Sequence, residues 1–145
     1  MTYLLDTNII SDIARRRDEG LLEWAGQQNP LDLHLSVLTL GEIQQGIVLL
    51  GPEDARRTKL EAWLLHDLPA QFAGRLLVIT EGIALNHGEL AAQGKRTGRP
   101  LPVIDGLLLA TARTHGLTLV TRNMSDTEGR GVPVLNPYTG TRPNP

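Results

Sequence analysis

Short apolar segments alternate with helix-like segments along the whole chain. Strand-like segments lie at residues 3–5, 33–37, 75–80, 117–121 and 132–135. Neighbouring parallel strands need a crossover connection, which is usually a helix. The alternation therefore predicts an α/β fold with three layers, α/β/α, in which helices flank a central, mainly parallel sheet of four to five strands.

The segments between the strands have helical periodicity and suitable caps. We expect helices at residues 9–14, 21–27, 39–49, 55–68, 81–93 and from about 105 to 115. Asn8, Asp54 and Thr80 are placed to cap the first, fourth and fifth of these helices. Gly116 is placed to end the last one. No internal repeat or linker is visible, so residues 1–145 are expected to form a single domain with an irregular tail from about residue 136.

The composition excludes several classes of protein. The chain has no cysteine, which rules out disulfide frameworks and thiolate metal sites and fits a reducing cytoplasm. Its net charge of −2 argues against coating nucleic acid by bulk electrostatics, and 3% aromatic residues leave little for base stacking. Neither a signal peptide nor a membrane-spanning run is visible. We expect a cytoplasmic protein, with no role in a membrane, that contacts any nucleic acid through local basic patches.

Four acidic residues are associated with the predicted strands and helices. Asp6 follows the first strand, and Glu42 lies in the helix after the second. Asp105 opens the last long helix, and Asp126 lies just past the strand that follows it. Because the carboxyl ends of parallel strands meet at one edge of a sheet, these side chains are expected to converge there. Convergent carboxylates suit Mg²⁺ or Mn²⁺, which prefer oxygen ligands.

Each carboxylate also has a purely local explanation. Asp6 can form a turn, and Asp126 can be a solvated loop residue. Thr39 and Glu42 fit a capping box, in which Glu42 would only reach back to the Thr39 backbone. Asp105 lies in the first turn of a helix, where the dipole favours a carboxylate. Its neighbours are mostly apolar, however, and a carboxylate in such a setting needs a partner or a metal.

Neutral and basic residues accompany the acidic ones. Three side chains are candidates for orienting a metal-bound water or a ligand: Asn8, Thr121 and Asn123. Three cations lie in the predicted loop at residues 94–100: Lys95, Arg96 and Arg99. They either grip substrate phosphates at the mouth of the site or form an ordinary solvated loop.

These residues also resemble a known family. The resemblance is carried by Leu4-Leu5-Asp6-Thr7-Asn8, by residues 36–42, by Pro102-Val103-Ile104-Asp105 and by Leu119-Val120-Thr121-Arg122-Asn123. In order and spacing they resemble the PIN-domain ribonucleases, in particular the VapC-type toxins of bacterial toxin–antitoxin pairs. The closing Val134-Leu135-Asn136-Pro137-Tyr138 is similar to the tail of the FitB-like branch. The resemblance covers essentially the whole chain and implies a PIN-like fold.

The resemblance implies a role for each acidic residue. Asp6, Glu42 and Asp105 match the three central acidic positions, and Asp6 and Asp105 are the implied metal ligands. Many relatives have Asp at the position of Asn123, where this chain departs from the pattern. Either Asp126 supplies the fourth carboxylate, completing the catalytic set, or Asn123 substitutes as a neutral ligand.

The resemblance further implies an activity and partners. The activity is that of a Mg²⁺- or Mn²⁺-dependent endoribonuclease, in which a metal-activated water attacks a phosphodiester of the RNA substrate. The implied partners are a small cognate antitoxin, a second copy of the chain in a homodimer, and operator DNA bound through the antitoxin. Apolar faces around Trp24, Trp63 and Leu64 are candidate contact surfaces, or simply core.

Two other functions fit parts of the sequence. A metal-dependent phosphatase or phospho-acceptor would use an Asp at a strand end, but Asn8 breaks the Asp-x-Asp pattern. A non-catalytic interaction module would keep the fold without activity, and Asn123 is the feature that favours it. A zinc site is not expected, because the histidines lie on different elements without ligand spacing: His34, His66, His87 and His115.

Overall fold

The protein is built on five parallel strands, seen in a computed structural model that describes residues 1–138. The strands are β1 (Tyr3–Leu5), β2 (Leu33–Ser36), β3 (Leu76–Leu77), β4 (Thr118–Val120) and β5 (Val134–Leu135). Their order across the sheet is β3-β2-β1-β4-β5, and every neighbouring pair is parallel. The predicted parallel sheet of four to five strands is confirmed. The part of the predicted tail beyond residue 138 lies outside the described residues.

Eight α-helices connect and flank the strands within residues 1–138. They are α1 (Thr7–Ala14), α2 (Glu19–Gly26), α3 (Val37–Leu49), α4 (Arg57–Ala62), α5 (Leu68–Gln71), α6 (Glu81–Arg96), α7 (Val103–His115) and α8 (Met124–Thr127). A 3-10 turn at Pro30–Asp32 leads into β2, and a π-helical turn at Trp63–Asp67 joins α4 to α5. None of the helices in this part of the chain is both long and apolar enough to cross a membrane.

The sheet separates two apolar cores. Leu5 and Val120 face the core formed with α1, α2, α3 and the α4–α5 segment. Leu4 and Leu119 face the other core, formed with α6 and α7. Successive residues of a strand point to opposite faces, so adjacent leucines of β1 serve different layers. This arrangement is the predicted α/β/α architecture.

Helices α1 and α3 each begin two residues earlier than the sequence indicated, and each is capped by the polar residue directly before it. Helix α1 begins at Thr7, and its cap is Asp6, whose side chain accepts the Thr7 N–H; the prediction of Asn8 as the cap is wrong. Helix α3 begins at Val37 and is capped by Ser36. Thr39 is therefore inside the helix, so it is not the cap of a capping box with Glu42.

The segment after α3 departs furthest from the prediction. The expected helix at 55–68 runs instead from Arg57 to Gln71 in three joined pieces. Asp54 accepts the N–H of Arg56, one residue before α4, so it stabilises a turn outside the helix and is not its cap.

The predicted ends of two later helices are confirmed. Thr80 caps α6, and Gly116 ends α7 with a φ of 67°, a left-handed conformation that favours glycine.

The tryptophan and leucine surfaces singled out in the sequence are used mainly inside the chain. Trp24 packs edge-on against Tyr3 with ring centroids 5.1 Å apart, and it is 8% exposed. Leu64 is 4% exposed in the same core, and Trp63 packs against that core as a partly buried residue. Core packing rather than partner contact explains these apolar faces.

Candidate active site

A cleft of about 400 Å³ lies at the carboxyl edge of the sheet. It is lined by Asp6, Thr7, Asn8, Glu42, Pro102, Val103, Ile104, Asp105 and Asn123. The residues come from the end of β1, the middle of α3, the start of α7 and the segment after β4. The topology therefore brings together three of the predicted acidic residues, as expected for a parallel sheet.

Asp6 is held by two donors from neighbouring strand ends. It is 8% exposed, its Oδ1 accepts the Thr7 N–H at 2.7 Å, and its Oδ2 accepts the Thr121 hydroxyl at 2.8 Å. The same Thr121 oxygen accepts the backbone N–H of Asn123 at 3.0 Å. Thr121 thus links the carboxylate that follows β1 to the start of the Asn123 segment.

Glu42 is oriented by a residue that the sequence reasoning did not single out. The Thr7 hydroxyl lies 2.5 Å from Glu42 Oε1 and 3.0 Å from the hydroxyl of the fully buried Thr39. Glu42 therefore points across to the first turn of α1. The signal in the sequence was the hydroxyl in the middle of Asp6-Thr7-Asn8, which becomes informative only when α1 and α3 are placed side by side.

Asn123 joins the two remaining carboxylates. Its Nδ2 donates to Asp105 Oδ2 at 3.0 Å and to Asp126 Oδ2 at 3.0 Å. Its Oδ1 accepts the Ser125 hydroxyl at 3.3 Å, which fixes the orientation of the amide. The Asn123 amide thus lies between two carboxylates, with one hydrogen bond to each.

The electrostatics of Asp105 reflect all of its acidic neighbours. Burial raises the pKa of Asp105, and the charges of Asp6, Asp126 and Glu42 raise it further. The hydrogen bond from Asn123 acts in the opposite direction on the same pKa. Asp105 is therefore close enough to the other three predicted carboxylates for their charges to disfavour its ionised form.

The oxygen atoms that line this cleft can be compared with the ligands that a divalent cation prefers. Carboxylate, hydroxyl and amide oxygens are the hard ligands that Mg²⁺ and Mn²⁺ select, and the mutual repulsion felt by Asp105 is what a bound cation relieves. Among residues 1–138, no group of three or more His, Cys, Asp or Glu side chains is arranged to hold a metal ion as it stands. Hydrogen bonds from Thr7, Thr121 and Asn123 occupy carboxylate oxygens instead. By their chemistry, the residues of this cleft fit a divalent cation.

The three predicted phosphate contacts lie outside the lining of this cleft. Lys95 and Arg96 are exposed in the last turn of α6, which is longer than predicted. Arg96 lines a second cleft, of about 500 Å³, with Arg113 and Arg130. Arg99 lies in the loop before α7, and its guanidinium donates to the backbone carbonyls of Ser125 and Glu128.

The chain is similar in sequence and in structure to known proteins. The family described as PIN domain matches residues 3–125. The chain is 32% identical over 136 residues to the VapC ribonuclease Y4jK of Sinorhizobium fredii, covering 93% of this chain and 96% of the relative. It is also 32% identical over 136 residues to Toxin FitB of Neisseria gonorrhoeae, covering 93% and 97%. A chain in the solved structure of FitAB bound to an IR36 DNA fragment has a TM-score of 0.87 and 30% identity, over 94% of this chain and 95% of that one.

The chain belongs to the PIN-domain family, because the family match covers residues 3–125. The five-stranded parallel sheet and the cleft lined with carboxylates at its carboxyl edge accompany that match. Within that family it is similar to VapC-type ribonucleases and to FitB toxins. The family resemblance found in the sequence is confirmed.

Proposed function

We propose that the protein is a Mg²⁺- or Mn²⁺-dependent endoribonuclease that acts as the toxin of a toxin–antitoxin module. The observation that carries the proposal is the cleft at the carboxyl edge of the sheet, whose lining includes Asp6, Glu42 and Asp105. A self-repelling group of carboxylates at the ligand-binding edge of an α/β sheet is suited to a divalent cation and a phosphodiester. The VapC ribonuclease relative supports RNA as the substrate class.

Each residue has a distinct part in this proposal. Asp6 and Asp105 would hold the metal, with Glu42 and Asp126 completing the catalytic carboxylates. A cation held there would supply Lewis-acid chemistry, lowering the pKa of a water and offsetting negative charge on the phosphodiester. Thr7 keeps Glu42 turned toward the cleft. Thr121 holds Asp6 by donating to one of its oxygens.

Asn123 and Asn8 are proposed to act without charge. The Asn123 amide lies between Asp105 and Asp126, where it offsets part of their repulsion before a cation arrives. Asn8 is exposed in the first turn of α1 and lines the same cleft. It is placed to orient a water or a ribose hydroxyl on the solvent side of Asp6.

RNA phosphates are proposed to contact basic residues beside the cleft. The net charge of −2 means that affinity must come from local cations rather than from the whole surface. Lys95 and Arg96 extend from the last turn of α6 with exposed side chains, so both can reach a phosphate. Arg99 has less freedom, because its guanidinium is bonded to carbonyls of residues 125 and 128.

The proposed partners are an antitoxin and, through it, operator DNA. FitAB has been solved bound to an IR36 DNA fragment, which supports the same arrangement for this chain. Val103 and Ile104 are 63% and 37% exposed at the rim of the cleft, directly before Asp105. An antitoxin segment that covers them would also cover the active site. We also propose a homodimer and a cytoplasmic location, where RNA and antitoxin are available.

The test is cleavage of a mixed cellular RNA pool by the purified protein with Mn²⁺, with Mg²⁺ and with a chelator. Asp105→Asn removes one central carboxylate, and Asp67→Asn, at an exposed position in the π-helical turn, is the matched control. We expect cleavage that requires metal, disappears in Asp105→Asn and persists in Asp67→Asn. Binding of Mn²⁺ without any RNA cleavage would contradict the nuclease and favour the interaction module. Binding of Mn²⁺ with hydrolysis of a phosphomonoester in place of RNA would favour the phosphatase.

A further inference from the structure

Two arginines from different loops are interlocked beside the active site. Arg99, in the loop between α6 and α7, donates from Nη1 to the carbonyl of Glu128 at 2.6 Å and from Nη2 to the carbonyl of Ser125 at 2.5 Å. Arg130, after α8, donates from Nε to the carbonyl of Asp126 at 2.6 Å and from Nη1 to the carbonyl of Arg99 at 3.1 Å. Each arginine therefore reaches into the loop of the other. We call this pair the arginine brace.

The arginine brace connects the two segments whose side chains must meet in the site. Arg99 lies six residues before Asp105, and Arg130 lies four residues after Asp126. The Asn123 amide bonds to Asp105 and to Asp126, so the spacing of these segments decides whether the amide can bridge the two carboxylates. The brace is placed to set that spacing.

The chemistry of the contact explains why both residues are arginine. Helix α8 is only four residues long, so its carbonyls at the C-terminal end lack helical partners and need donors. A guanidinium offers several N–H groups in a rigid fork and can bond two carbonyls at once, which an ammonium on a flexible stem does less well. Arg99 and Arg130 together bond the carbonyls of three residues in this segment, which are Ser125, Asp126 and Glu128.

Gly94, near the end of α6, leaves room for the arginine brace. A Cβ atom at this position would come within 2.7 Å of the Arg99 carbonyl oxygen and 3.2 Å of Arg130 Nη1. These are the two atoms that form the Arg130 to Arg99 hydrogen bond. A side chain at residue 94 would therefore push the two loops apart while leaving both positive charges in place.

We propose that Arg99 and Arg130 are positioning residues that hold Asp105, Asn123 and Asp126 in their bridging arrangement, and that they do not act as contacts to RNA phosphates. The part of this proposal that concerns turnover rests on the proposed ribonuclease function. The part that concerns geometry is independent of activity, since the Asn123 side-chain amide reports on it directly.

The experiment compares Arg99→Lys, Arg130→Lys and Gly94→Ala with the wild type. Arg57→Lys is the matched control, because Arg57 pairs with Glu61 at 2.7 Å on α4 and lines neither cleft. One readout is the pair of Asn123 side-chain NH₂ resonances in ¹H–¹⁵N spectra, without metal. The other is kcat and KM on an RNA that the wild type cleaves.

All three brace variants are expected to move the Asn123 NH₂ resonances toward those of an exposed asparagine. They are also expected to lower kcat by about 10–100-fold, the usual cost of losing an orienting contact, with KM nearly unchanged. Arg57→Lys should match the wild type in both measurements. Gly94→Ala keeps every charge and places a good helix former in α6, so its loss of kcat would not arise from lost phosphate attraction or from a weakened helix.

Two results would overturn the proposal. One is an unchanged Asn123 signal in the folded variants. The other is a raised KM with normal kcat in the lysine variants and wild-type behaviour in Gly94→Ala, which would assign the arginines to RNA binding. If the wild type cleaves no RNA, the proposed function fails, but the NMR comparison still decides whether the brace sets the geometry.

Discussion

A neutral amide lies among four carboxylates at the candidate active site. Asn123 donates one hydrogen bond to Asp105 and one to Asp126. Its hydrogen bond lowers the pKa of Asp105, while burial and three other charges raise that pKa. At the scale of single residues, the hydrogen bonds from the Asn123 amide therefore oppose the charge repulsion that Asp105 experiences. Predictions about single substitutions follow from that balance.

Asp105→Asn is expected to stabilise the metal-free protein at neutral pH while abolishing RNA cleavage. Because the pKa of Asp105 is raised on folding, the folded state binds the proton more tightly than the unfolded state. The cost of its charge is therefore absent at acidic pH and grows as pH rises through the raised pKa. The melting temperature of the variant in chelator should exceed that of the wild type at about pH 7, and the difference should shrink toward about pH 4.

Asp67→Asn serves as the control for that comparison, since Asp67 is exposed and lies outside the cleft. A difference between Asp105→Asn and wild type that stayed constant over this pH range would contradict the assigned electrostatics.

Asn123→Asp is expected to destabilise the metal-free protein and to bind Mn²⁺ more tightly. The substitution keeps the shape of the side chain but replaces the donor between Asp105 and Asp126 by a further negative charge. A change of about 10–100-fold in Mn²⁺ affinity is the scale expected for a residue that orients ligands. Calorimetric titration with Mn²⁺ and melting in chelator measure the two effects, and equal affinity in both proteins would show that position 123 does not face the cation.

At the scale of elements, the end of the described chain is tied to the first helix. The Tyr138 hydroxyl donates to the carboxylate of Asp12, which is 7% exposed on α1. The Arg122 guanidinium lies 5.1 Å from the Tyr138 ring centroid and 3.9 Å from Asp12. Arg122 directly precedes Asn123, so this contact also steadies the segment that enters the site.

Tyr138→Phe is expected to lower the free energy of unfolding by about 1–3 kcal/mol, because it removes a donor from a buried carboxylate. Burial and the bond to Asp12 raise the pKa of Tyr138, so the folded state favours the protonated phenol. The wild type should then lose stability as pH rises above about 10, whereas the variant lacks this loss.

Urea denaturation of both proteins at neutral and alkaline pH measures the Tyr138 effect. The two unfolding curves should approach each other at high pH. Coincident curves at neutral pH would show that the Tyr138 hydroxyl adds no stability.

At the scale of the whole molecule, the candidate site is assembled from parts that are far apart along the chain. The Thr121 to Asp6 hydrogen bond joins residues 115 positions apart, and the Thr7 to Glu42 bond joins residues 35 apart. The unfolded chain has no such site, so a ligand of the assembled carboxylates should stabilise the folded state as a whole.

Mn²⁺ is therefore expected to raise the free energy of unfolding, by about 2.7 kcal/mol when the free ion is about 100-fold above its Kd. The rise should be lost in Asp105→Asn and kept in Asp67→Asn, as measured by thermal melting across a Mn²⁺ series. A melting temperature of the wild type that does not respond to Mn²⁺ would contradict a convergent cation site.

Local sequence patterns determined the order of strands and helices along the chain. They also determined that the sheet is parallel and that acidic residues lie at its carboxyl edge. Periodicity, caps such as Thr80 and the glycine at residue 116 act over a few positions, so they are visible in the sequence. The tertiary structure alone decided that Thr121 holds Asp6, that Thr7 orients Glu42 and that Arg99 bonds to carbonyls near α8. All of these contacts join separate elements, and each carboxylate or guanidinium had several possible local partners. Only packing of the layers brings the chosen donor and acceptor within hydrogen-bonding distance.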